Sequence, residues 1–320
     1  MSLRKLSEVV RERNEELAQL YEKKEAGEDV ELQYISTGLQ SLDKLGLLEK
    51  GILTIIGGDP GVGKSAWAVK LLESASKQGY SPLGFFFEDP MKFVADRITS
   101  KAIGESAFDL RRIEINDDDI PNRLRSVADG LEWLSNVSIE DTLISSTDLL
   151  SILGKTVNEQ TGLIVIDYAQ AFDAEDNEKS VERVIARIAW GLNQLAKKRN
   201  VAIVMFSQLK TEVKDRGNKW YEQWRWHNKD DPDKEIDDSA VEGYRPRSND
   251  LQWSSALTQR AKQIIYLFRP KAWINKLGNK VPDNEVQVQI DKGNYGPNTG
   301  ILRFKWEGAT CKISEWKEKK

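Results

Sequence analysis

GDPGVGKS, residues 58–65, is the stretch that decides the fold. It follows the apolar run 53–56 and precedes a helical pattern that starts at Ser65. A strand, a glycine-rich loop and a helix in this order are the setting in which phosphate-binding loops occur. The glycines let backbone N–H groups converge on phosphate oxygens, Lys64 is placed to reach the β- and γ-phosphates, and the Ser65 hydroxyl is a ligand for Mg²⁺. The alternative is a purely structural glycine turn.

This loop predicts ATP and Mg²⁺ as cofactors. The residues expected to hold the nucleotide are Gly58, Asp59, Pro60, Gly61, Val62, Gly63, Lys64, Ser65 and Ala66. Phosphoryl transfer also needs a carboxylate at the end of a buried strand to hold the metal. Asp167, directly after the apolar run 163–166, is suited to that role together with Ser65. The alternative for Asp167 is a turn or helix N-cap aspartate.

Two further strand ends carry candidate catalytic groups. Glu88 follows the apolar run 83–87 and is a candidate for the base that orients the attacking water, with Asp89 as its competitor. Gln208 follows the run 201–206, where a neutral amide can sense the γ-phosphate and relay its loss to the next loop. Taken alone, that glutamine is equally consistent with an ordinary surface residue.

Strand-like and helix-like stretches alternate along most of the chain. Strand-like runs cover 53–56, 83–87, 163–166 and 201–206, and helical patterns cover 65–77, 91–103 and 181–198. Such alternation implies right-handed crossovers. We therefore predict an α/β fold over 32–320, a mostly parallel central sheet with helices on both faces. The runs 264–268, 286–290 and 301–306 are expected to add strands, the last two joined by the turn-rich 293–300.

Composition excludes several classes of protein. In 320 residues with 39% apolar and 31% charged side chains, no apolar run approaches the roughly 18 residues of a membrane span, and the charged N-terminus does not resemble a secretory signal. We therefore expect a cytoplasmic protein with no membrane partner. A single cysteine, Cys311, and a single histidine, His227, make an internal disulfide, a zinc cluster or a Ser-His-Asp triad poor interpretations.

The segment 209–249 has no apparent periodicity and is expected to be a long mobile loop. Residues 210–229 hold six Lys or Arg against three acids, interleaved with tryptophans, whereas 230–242 hold seven acids. Lysines can neutralise phosphates while bases stack on indoles, which favours single-stranded nucleic acid as the ligand. The candidate contacts are Lys210, Lys214, Arg216, Lys219, Trp220, Trp224 and Arg225. The alternative is a hydrophobic patch that packs on the same or an adjacent subunit.

Residues 3–25 form a charged helical pattern with a narrow apolar stripe, followed by a polar break at 27–31. The stripe contains Leu3, Leu6, Val10, Leu17 and Leu20. Such a stripe needs a partner. The helix either lies on its own domain or docks on a neighbouring subunit.

Taken together, these motifs resemble the RecA-like hexameric replicative helicases of the DnaB type, specifically their C-terminal motor domain. The resemblance extends from about residue 3 to 310. Its motifs, in order, are GDPGVGKS (58–65), FFFEDP (85–90), LIVIDYAQ (163–170), FSQLKTEVKDR (206–216), NDLQWSSALTQRAKQIIYLFR (249–269) and KGNYGPNTG (292–300). The helix at 3–25 is similar to the linker helix that packs on the adjacent subunit in such rings, which makes residues 1–31 a linker segment.

The resemblance implies a role for each matching residue. Lys64 and Ser65 bind nucleotide and metal, and Asp167 is the second metal ligand; Glu88 is the catalytic base and Gln208 the γ-phosphate sensor. Lys292 is implied to reach the γ-phosphate in the neighbouring subunit. Two residues beyond it, the family's arginine is replaced by Asn294. Such an arginine is worth about 10³ to 10⁵ in rate, so either Arg269 or Arg303 substitutes or hydrolysis is weak.

By the same resemblance we expect a ring-shaped homo-oligomer, a hexamer, that hydrolyses ATP, translocates on single-stranded DNA and unwinds duplex with 5′ to 3′ polarity. A primase or a loader protein is an expected partner, although the family's N-terminal domain has no counterpart in this sequence. The first alternative is a RecA-like ATPase that remodels, loads or pairs DNA without unwinding. The second is an ATP-stabilised scaffold without catalysis.

Overall fold

The computed structural model describes residues 3–28, 33–167, 181–231, 233–247, 249–252, 254–293 and 300–317. The chain divides into two units, Met1–Gln33 and Tyr34–Lys320. In the first unit, helix α1 covers Leu6–Glu25 and ends at Ala26, whose N–H bonds the carbonyl of Glu22. No residue of α1 is buried; in the apolar stripe, Leu3, Leu6 and Val10 are exposed, and Leu17 and Leu20 are half-buried. Docking of this stripe on a neighbouring subunit stays a prediction.

The second unit contains the remaining helices and all the strands. The helices are α2 (Gln40–Asp43), α3 (Lys64–Lys77), α4 (Met91–Ile103), α5 (Ala107–Arg112), α6 (Ile120–Gly130), α7 (Ser146–Thr156), α8 (Val181–Arg199), α9 (Glu212–His227), α10 (Ser254–Arg260) and α11 (Pro270–Lys276). The strands are β1 (Tyr34–Ile35), β2 (Leu48–Glu49), β3 (Leu53–Gly58), β4 (Leu83–Phe86), β5 (Ser138–Glu140), β6 (Leu163–Asp167), β7 (Ala202–Gln208), β8 (Gln263–Phe268), β9 (Glu285–Lys292), β10 (Ile301–Glu307) and β11 (Lys312–Glu315). None of the helices described combines the length and the apolar character that crossing a membrane requires.

A nine-stranded sheet forms the centre of this unit, in the order β11-β10-β9-β8-β3-β7-β6-β4-β5. From β8 to β5 every neighbouring pair is parallel, whereas β8 to β11 pair antiparallel. The mostly parallel sheet predicted from strand-helix alternation is therefore confirmed. The connection from β9 to β10, residues 293–300, is shorter than the dozen or more residues that a parallel crossover needs, so this pair can only be antiparallel.

Two hydrophobic cores cover the two faces of the sheet. Alternate residues of each central strand enter opposite cores: in β6, Leu163 and Val165 belong to one core, and Ile164 and Ile166 to the other. A strand buried on both faces reads as an unbroken apolar run. This is why β6 was recognisable in the sequence, and why its end, Asp167, is buried.

The prediction of a long mobile loop over 209–249 is wrong, because residues 212–227 form helix α9. Its inner face contains Val213 and Gly217, both buried, and continues one turn later to Trp220. The spacing of these residues is typical of a helix. The sequence does not show it clearly, because Gly217 stands at a buried position where an apolar side chain would mark the helical periodicity. The place of that side chain is taken by Tyr244, whose ring packs directly against Gly217.

Gly217→Ala is expected to destabilise the protein. An added Cβ would lie 2.0 Å from Cδ1 of the buried Tyr244 ring, and overpacking of this kind costs about 1–3 kcal/mol. That cost exceeds the gain in helix propensity, which is at most about 1 kcal/mol. Chemical denaturation measures the difference. The matched control is Gly154→Ala in α7, where no atom lies within 4 Å of the new Cβ. A Gly217 variant as stable as the Gly154 variant would contradict the packing described here.

Candidate active site

The glycine loop 58–65, called the P-loop below, connects β3 to α3. Gly61 and Gly63 have φ values of +77° and +105°, a backbone region that other residues rarely adopt. Gly63 also needs to lack a side chain, because its Cβ would lie 2.6 Å from the indole of Trp306. Helix α3 begins at Lys64, so its first N–H groups face the loop, as an anion-binding helix N-terminus requires.

Lys64 lies at the centre of the P-loop with only 6% of its surface exposed. Its ammonium donates hydrogen bonds to the carbonyls of Gly58 at 3.1 Å and Asp59 at 3.2 Å. Burial lowers the pKa of Lys64, while the negative charges of Asp167, Glu88 and Asp59 act in the opposite direction. The lysine is therefore held at the phosphate position with carboxylates around it.

The sheet order places the predicted catalytic residues together. Strands β3, β7, β6 and β4 are adjacent, and their carboxyl ends lie at the same edge. The register pairs Gly58 with Gln208, and Phe86 with Asp167. Glu88 follows Phe87, whose N–H bonds the Asp167 carbonyl at 2.8 Å. Four strand ends thus converge on the P-loop, which sequence order alone did not require.

Asp167 has the features of a metal ligand. Its carboxylate accepts a hydrogen bond from the Ser65 hydroxyl, but its Oδ1 atom is buried with no hydrogen-bond partner among the described residues. Burial raises the pKa of Asp167 to about 6, and Ser65 and Lys64 lower it in part. A buried carboxylate oxygen without a partner next to a serine hydroxyl fits Mg²⁺, which takes oxygen ligands.

Asp167→Asn is expected to stabilise the metal-free protein at pH 7 by on the order of 2 kcal/mol. The pKa of Asp167 in the folded protein, about 6, lies above its ordinary value of 3.8. Ionisation of Asp167 therefore costs more free energy in the folded protein than in the unfolded chain. As a result, the free energy of unfolding decreases as the pH rises from about 4 to about 6. Urea denaturation without metal or nucleotide should show the gain at pH 7 and almost none at pH 4. Equal stability at pH 7 would contradict a buried, unsatisfied carboxylate.

Glu88, rather than Asp89, is placed to act on a reacting water. Asp89 forms an ion pair with Arg97 at 2.7 Å, whereas Glu88 has no hydrogen bond or ion pair with the described residues and is exposed. Both line a cavity of about 290 Å³ beside the P-loop. The lining residues are Pro60, Gly61, Gly63, Lys64, Ser65, Ala66, Glu88, Asp89, Arg97, Gln208, Trp306 and Cys311.

Gln208 lies where two cavities meet. It lines the P-loop cavity and also a neighbouring cavity of about 720 Å³. Its backbone carbonyl accepts the N–H of Gln252 at 3.0 Å. The predicted γ-phosphate sensor thus lies on the wall shared by the P-loop and the segment that follows β7.

Comparison with known proteins decides the family. The family described as the DnaB-like helicase C-terminal domain matches residues 34–221. This chain belongs to that family. Among curated relatives, the replicative DNA helicase DnaB of Haemophilus influenzae is 25% identical over 291 residues, and that of Buchnera aphidicola subsp. Acyrthosiphon pisum is 24% identical over 291 residues. Each alignment covers 89% of this chain, which spans 56% and 57% of the length of the two relatives.

Solved structures confirm the predicted RecA-like ATPase fold. One of them, described as an ATPase domain, superimposes with a TM-score of 0.73 and 22% identity, covering 95% of this chain and 98% of that one. A DnaB-like replicative helicase, described with its interactions with primase, gives a TM-score of 0.72 and 22% identity, covering 95% of this chain and 67% of that one. The RadB recombinase gives 0.52 at 18% identity over 88% of this chain and 100% of that one.

The neighbouring cavity of this DnaB-like domain is basic. Three lysines, Lys210, Lys214 and Lys276, line it against two acids, Glu212 and Asp59 of the P-loop, and Trp273 completes the wall between Asp59 and Lys276. Trp273 donates a hydrogen bond to the Asp59 carboxylate, whose pKa is raised mainly by burial. Lys276 was not a sequence candidate, because α11 lies far from the basic segment along the chain.

The residues predicted to contact nucleic acid differ in their environments. Lys219 and Arg225 are exposed on α9. Trp220 is 39% exposed, and its indole N–H, like that of Trp224, bonds Ser239. The prediction that Arg216 contacts nucleic acid is wrong. Its guanidinium donates two hydrogen bonds to the Asp250 carboxylate, both at 2.8 Å, and further hydrogen bonds to the carbonyls of Gly243 and Arg245. These bonds occupy most of the donors of the guanidinium, so Arg216 connects α9 to residues 243–250 and is not available to hold a phosphate.

The residues predicted to act across a subunit junction make contacts within their own chain where the structure describes them. The Lys292 ammonium donates to the carbonyls of Thr258 and Ala261 at 2.8 Å, at the end of α10. Asn294 and residues 168–180 are outside the described residues. Of the two arginines considered as substitutes for the missing arginine, Arg303 pairs with Glu285 at 3.5 Å, and Arg269 contacts the P-loop of its own chain.

Sequence reasoning missed three residues in the wall of the P-loop cavity: Arg97, Trp306 and Cys311. Arg97 lies in α4 and Trp306 in β10, so long-range packing brings them to the loop. The sequence offers only one hint of this contact, a bulky tryptophan, Trp306, in a predicted strand; the structure packs its indole against Gly63 of the P-loop. Single-sequence patterns do not pair such distant segments.

Proposed function

We propose that this chain is the ATP-hydrolysing motor of a replicative DNA helicase. The observation that carries the proposal is the convergence of Lys64, Ser65, Glu88 and Gln208 on one cavity, with the Asp167 carboxylate hydrogen-bonded to Ser65 and a basic cavity sharing the Gln208 wall. The first set is the equipment of phosphoryl transfer. The second is a surface suited to a nucleic-acid backbone.

In this proposal the P-loop and Lys64 hold the β- and γ-phosphates of ATP, and Ser65 and Asp167 hold Mg²⁺. The metal, when bound, supplies positive charge to the phosphate oxygens. The Glu88 carboxylate orients the attacking water and accepts its proton. Lys64 balances the charge that develops on the γ-phosphate. Gln208 senses whether that phosphate is present and passes the change to the segment that begins at Lys210.

We further propose that the motor works as a ring-shaped homo-oligomer, a hexamer, on single-stranded DNA. Lys292 would leave the end of α10 and reach the nucleotide of the neighbouring subunit, and α1 would dock on that neighbour through its apolar stripe. Movement would be 5′ to 3′, and a primase or loader would be the protein partner. Because Asn294 carries no charge, hydrolysis is expected to be weak unless another cation takes the place of the trans arginine.

Unwinding of a forked duplex tests the helicase assignment. Wild-type protein with ATP and Mg²⁺ should separate a fork that carries a free 5′ tail and leave a fork with only a 3′ tail intact. Native mass spectrometry of the same sample should show the hexamer. DNA-stimulated ATP hydrolysis without strand separation would instead support a RecA-like remodelling, loading or strand-pairing ATPase. Nucleotide-dependent assembly without turnover would support a scaffold.

The double variant Lys210→Ala/Lys214→Ala is expected to weaken single-stranded DNA binding about 10-fold or more at moderate salt, since each lysine neutralises a phosphate. The magnitude of the slope of log affinity against log salt should fall by about 1.4, since each phosphate neutralised on a single strand contributes about 0.7. Fluorescence anisotropy of labelled oligonucleotide across a salt series measures both. The matched control is Lys197→Ala/Lys198→Ala, two exposed lysines at the end of α8. Equal effects of the two double variants would contradict a specific contact at the basic cavity.

A further inference from the structure

The outer side of the P-loop is contacted by Arg269, the residue between β8 and α11. Its Nη1 atom donates a hydrogen bond to the Gly61 carbonyl at 2.9 Å. The same guanidinium forms an ion pair with Asp283 and lies over the indole of Trp306, 5.3 Å from the ring centroid. Its side chain is only 16% exposed. A carboxylate and an aromatic face thus hold the guanidinium in position on the loop.

The contact is made within the glycine-rich turn of the P-loop. The Gly61–Val62 peptide begins at Gly61, which has a positive φ, and the next residue after Val62, Gly63, has a positive φ as well. In a trans peptide the C=O and the next N–H point in opposite directions. Here the Val62 N–H bonds the Asp59 carbonyl at 3.2 Å, and the Gly61 C=O bonds Arg269. Both ends of this peptide are held, so it cannot rotate without losing a bond.

We propose that Arg269 is a positioning residue that presets the P-loop for nucleotide binding. Arg269 is absent from the described lining of the P-loop cavity, so it acts through the Gly61 carbonyl and not by touching phosphate. A loop that is already ordered loses less conformational entropy when ligand binds. The inference rests on the proposed function, since it assumes that the P-loop binds nucleotide. Arg269 therefore governs nucleotide affinity and leaves the chemical step to the residues inside the cavity.

Lysine cannot replace arginine in this role. A planar guanidinium presents donors to Asp283 and Gly61 simultaneously, whereas a lysine ammonium is a single point charge on a flexible stem. Arg269→Lys keeps the positive charge near the phosphates but loses the fixed geometry. Positioning and simple electrostatic attraction therefore predict different results for this variant.

The experiment measures the dissociation constant of a fluorescent ATP analogue, and KM and kcat for ATP, in Arg269→Lys, Arg269→Ala and Asp283→Asn. Both Arg269 variants should bind nucleotide about 10-fold more weakly and show a matching rise in KM, with kcat at saturating ATP within about 2-fold of wild type. Asp283→Asn, which leaves the arginine unanchored, should weaken binding about 3-fold. The control is Arg123→Lys: Arg123 also bonds a carbonyl, that of Ile103, and pairs with Asp117, but away from the P-loop.

Normal affinity in Arg269→Lys would overturn the proposal, because charge alone would then suffice. A fall in kcat with KM unchanged would also overturn it, because the residue would then act in the chemical step. Should Arg269→Ala fail to fold, the nucleotide affinities of Arg269→Lys and Asp283→Asn still test the proposal. Failure of the proposed function is distinguishable, since it would appear as absent nucleotide binding by the wild-type protein.

Discussion

Lys64→Ala is expected to abolish ATP hydrolysis and to weaken ATP binding by at least about 100-fold, because a charge-assisted contact to phosphate in a buried site is lost. The fold should survive. Burial lowers the pKa of Lys64, which means that the charged lysine is costly to the empty protein, and alanine is favourable at the start of α3. Isothermal titration with ATP and Mg²⁺, together with a phosphate-release assay, measures both effects.

The control for this prediction is Lys70→Ala in the same helix. The pKa of Lys70 is also lowered by burial, but its ammonium lies beside Gly38 and not in the P-loop cavity. This variant should hydrolyse ATP at close to the wild-type rate. Turnover in Lys64→Ala at a rate comparable to that of Lys70→Ala would remove the nucleotide assignment.

Glu88→Gln is expected to lower kcat by about 10² to 10⁴-fold, the range for losing a general base. The KM for ATP should change by no more than a few-fold, since the amide keeps the size of the side chain and Glu88 lies at the exposed rim of the cavity. Single-turnover phosphate release isolates the chemical step from product release. The variant should therefore trap ATP in the site.

Asp89→Asn provides the comparison within the same loop. Asp89 is committed to Arg97, so its replacement should lower kcat by much less than replacement of Glu88, by about 10-fold at most. An Asp89 variant as inactive as Glu88→Gln, or a Glu88 variant close to wild type, would reassign the base.

The α/β fold and the P-loop were predictable because both depend on local patterns. The unbroken apolar runs of β3 and β6 mark strands buried on both faces, and GDPGVGKS carries its own glycine geometry. The roles proposed for Asp167 and Glu88 rest on their place at strand ends, since parallel strands present their carboxyl ends at one edge of the sheet. Adjacent strands then bring them together.

What the sequence did not reveal depends on contacts between distant segments. Helix α9 was missed because Gly217 interrupts its apolar stripe, and the reason for that glycine, Tyr244, lies 27 residues further on. The local charge pattern predicts Arg216 as a phosphate ligand, because the pattern does not show its pairing with Asp250. Arg269 and Trp306 reach the P-loop only through the order of strands in the sheet.

The central claim is that the P-loop cavity turns over ATP and that DNA bound at the adjoining segment controls this turnover. The most direct test is the steady-state rate of phosphate release by the wild-type protein, with Mg²⁺ and saturating ATP, in the presence and absence of single-stranded oligonucleotide. We predict hydrolysis that Lys64→Ala eliminates and that single-stranded DNA stimulates several-fold. Phosphate release that is absent under both conditions, or that persists in Lys64→Ala, would contradict the account.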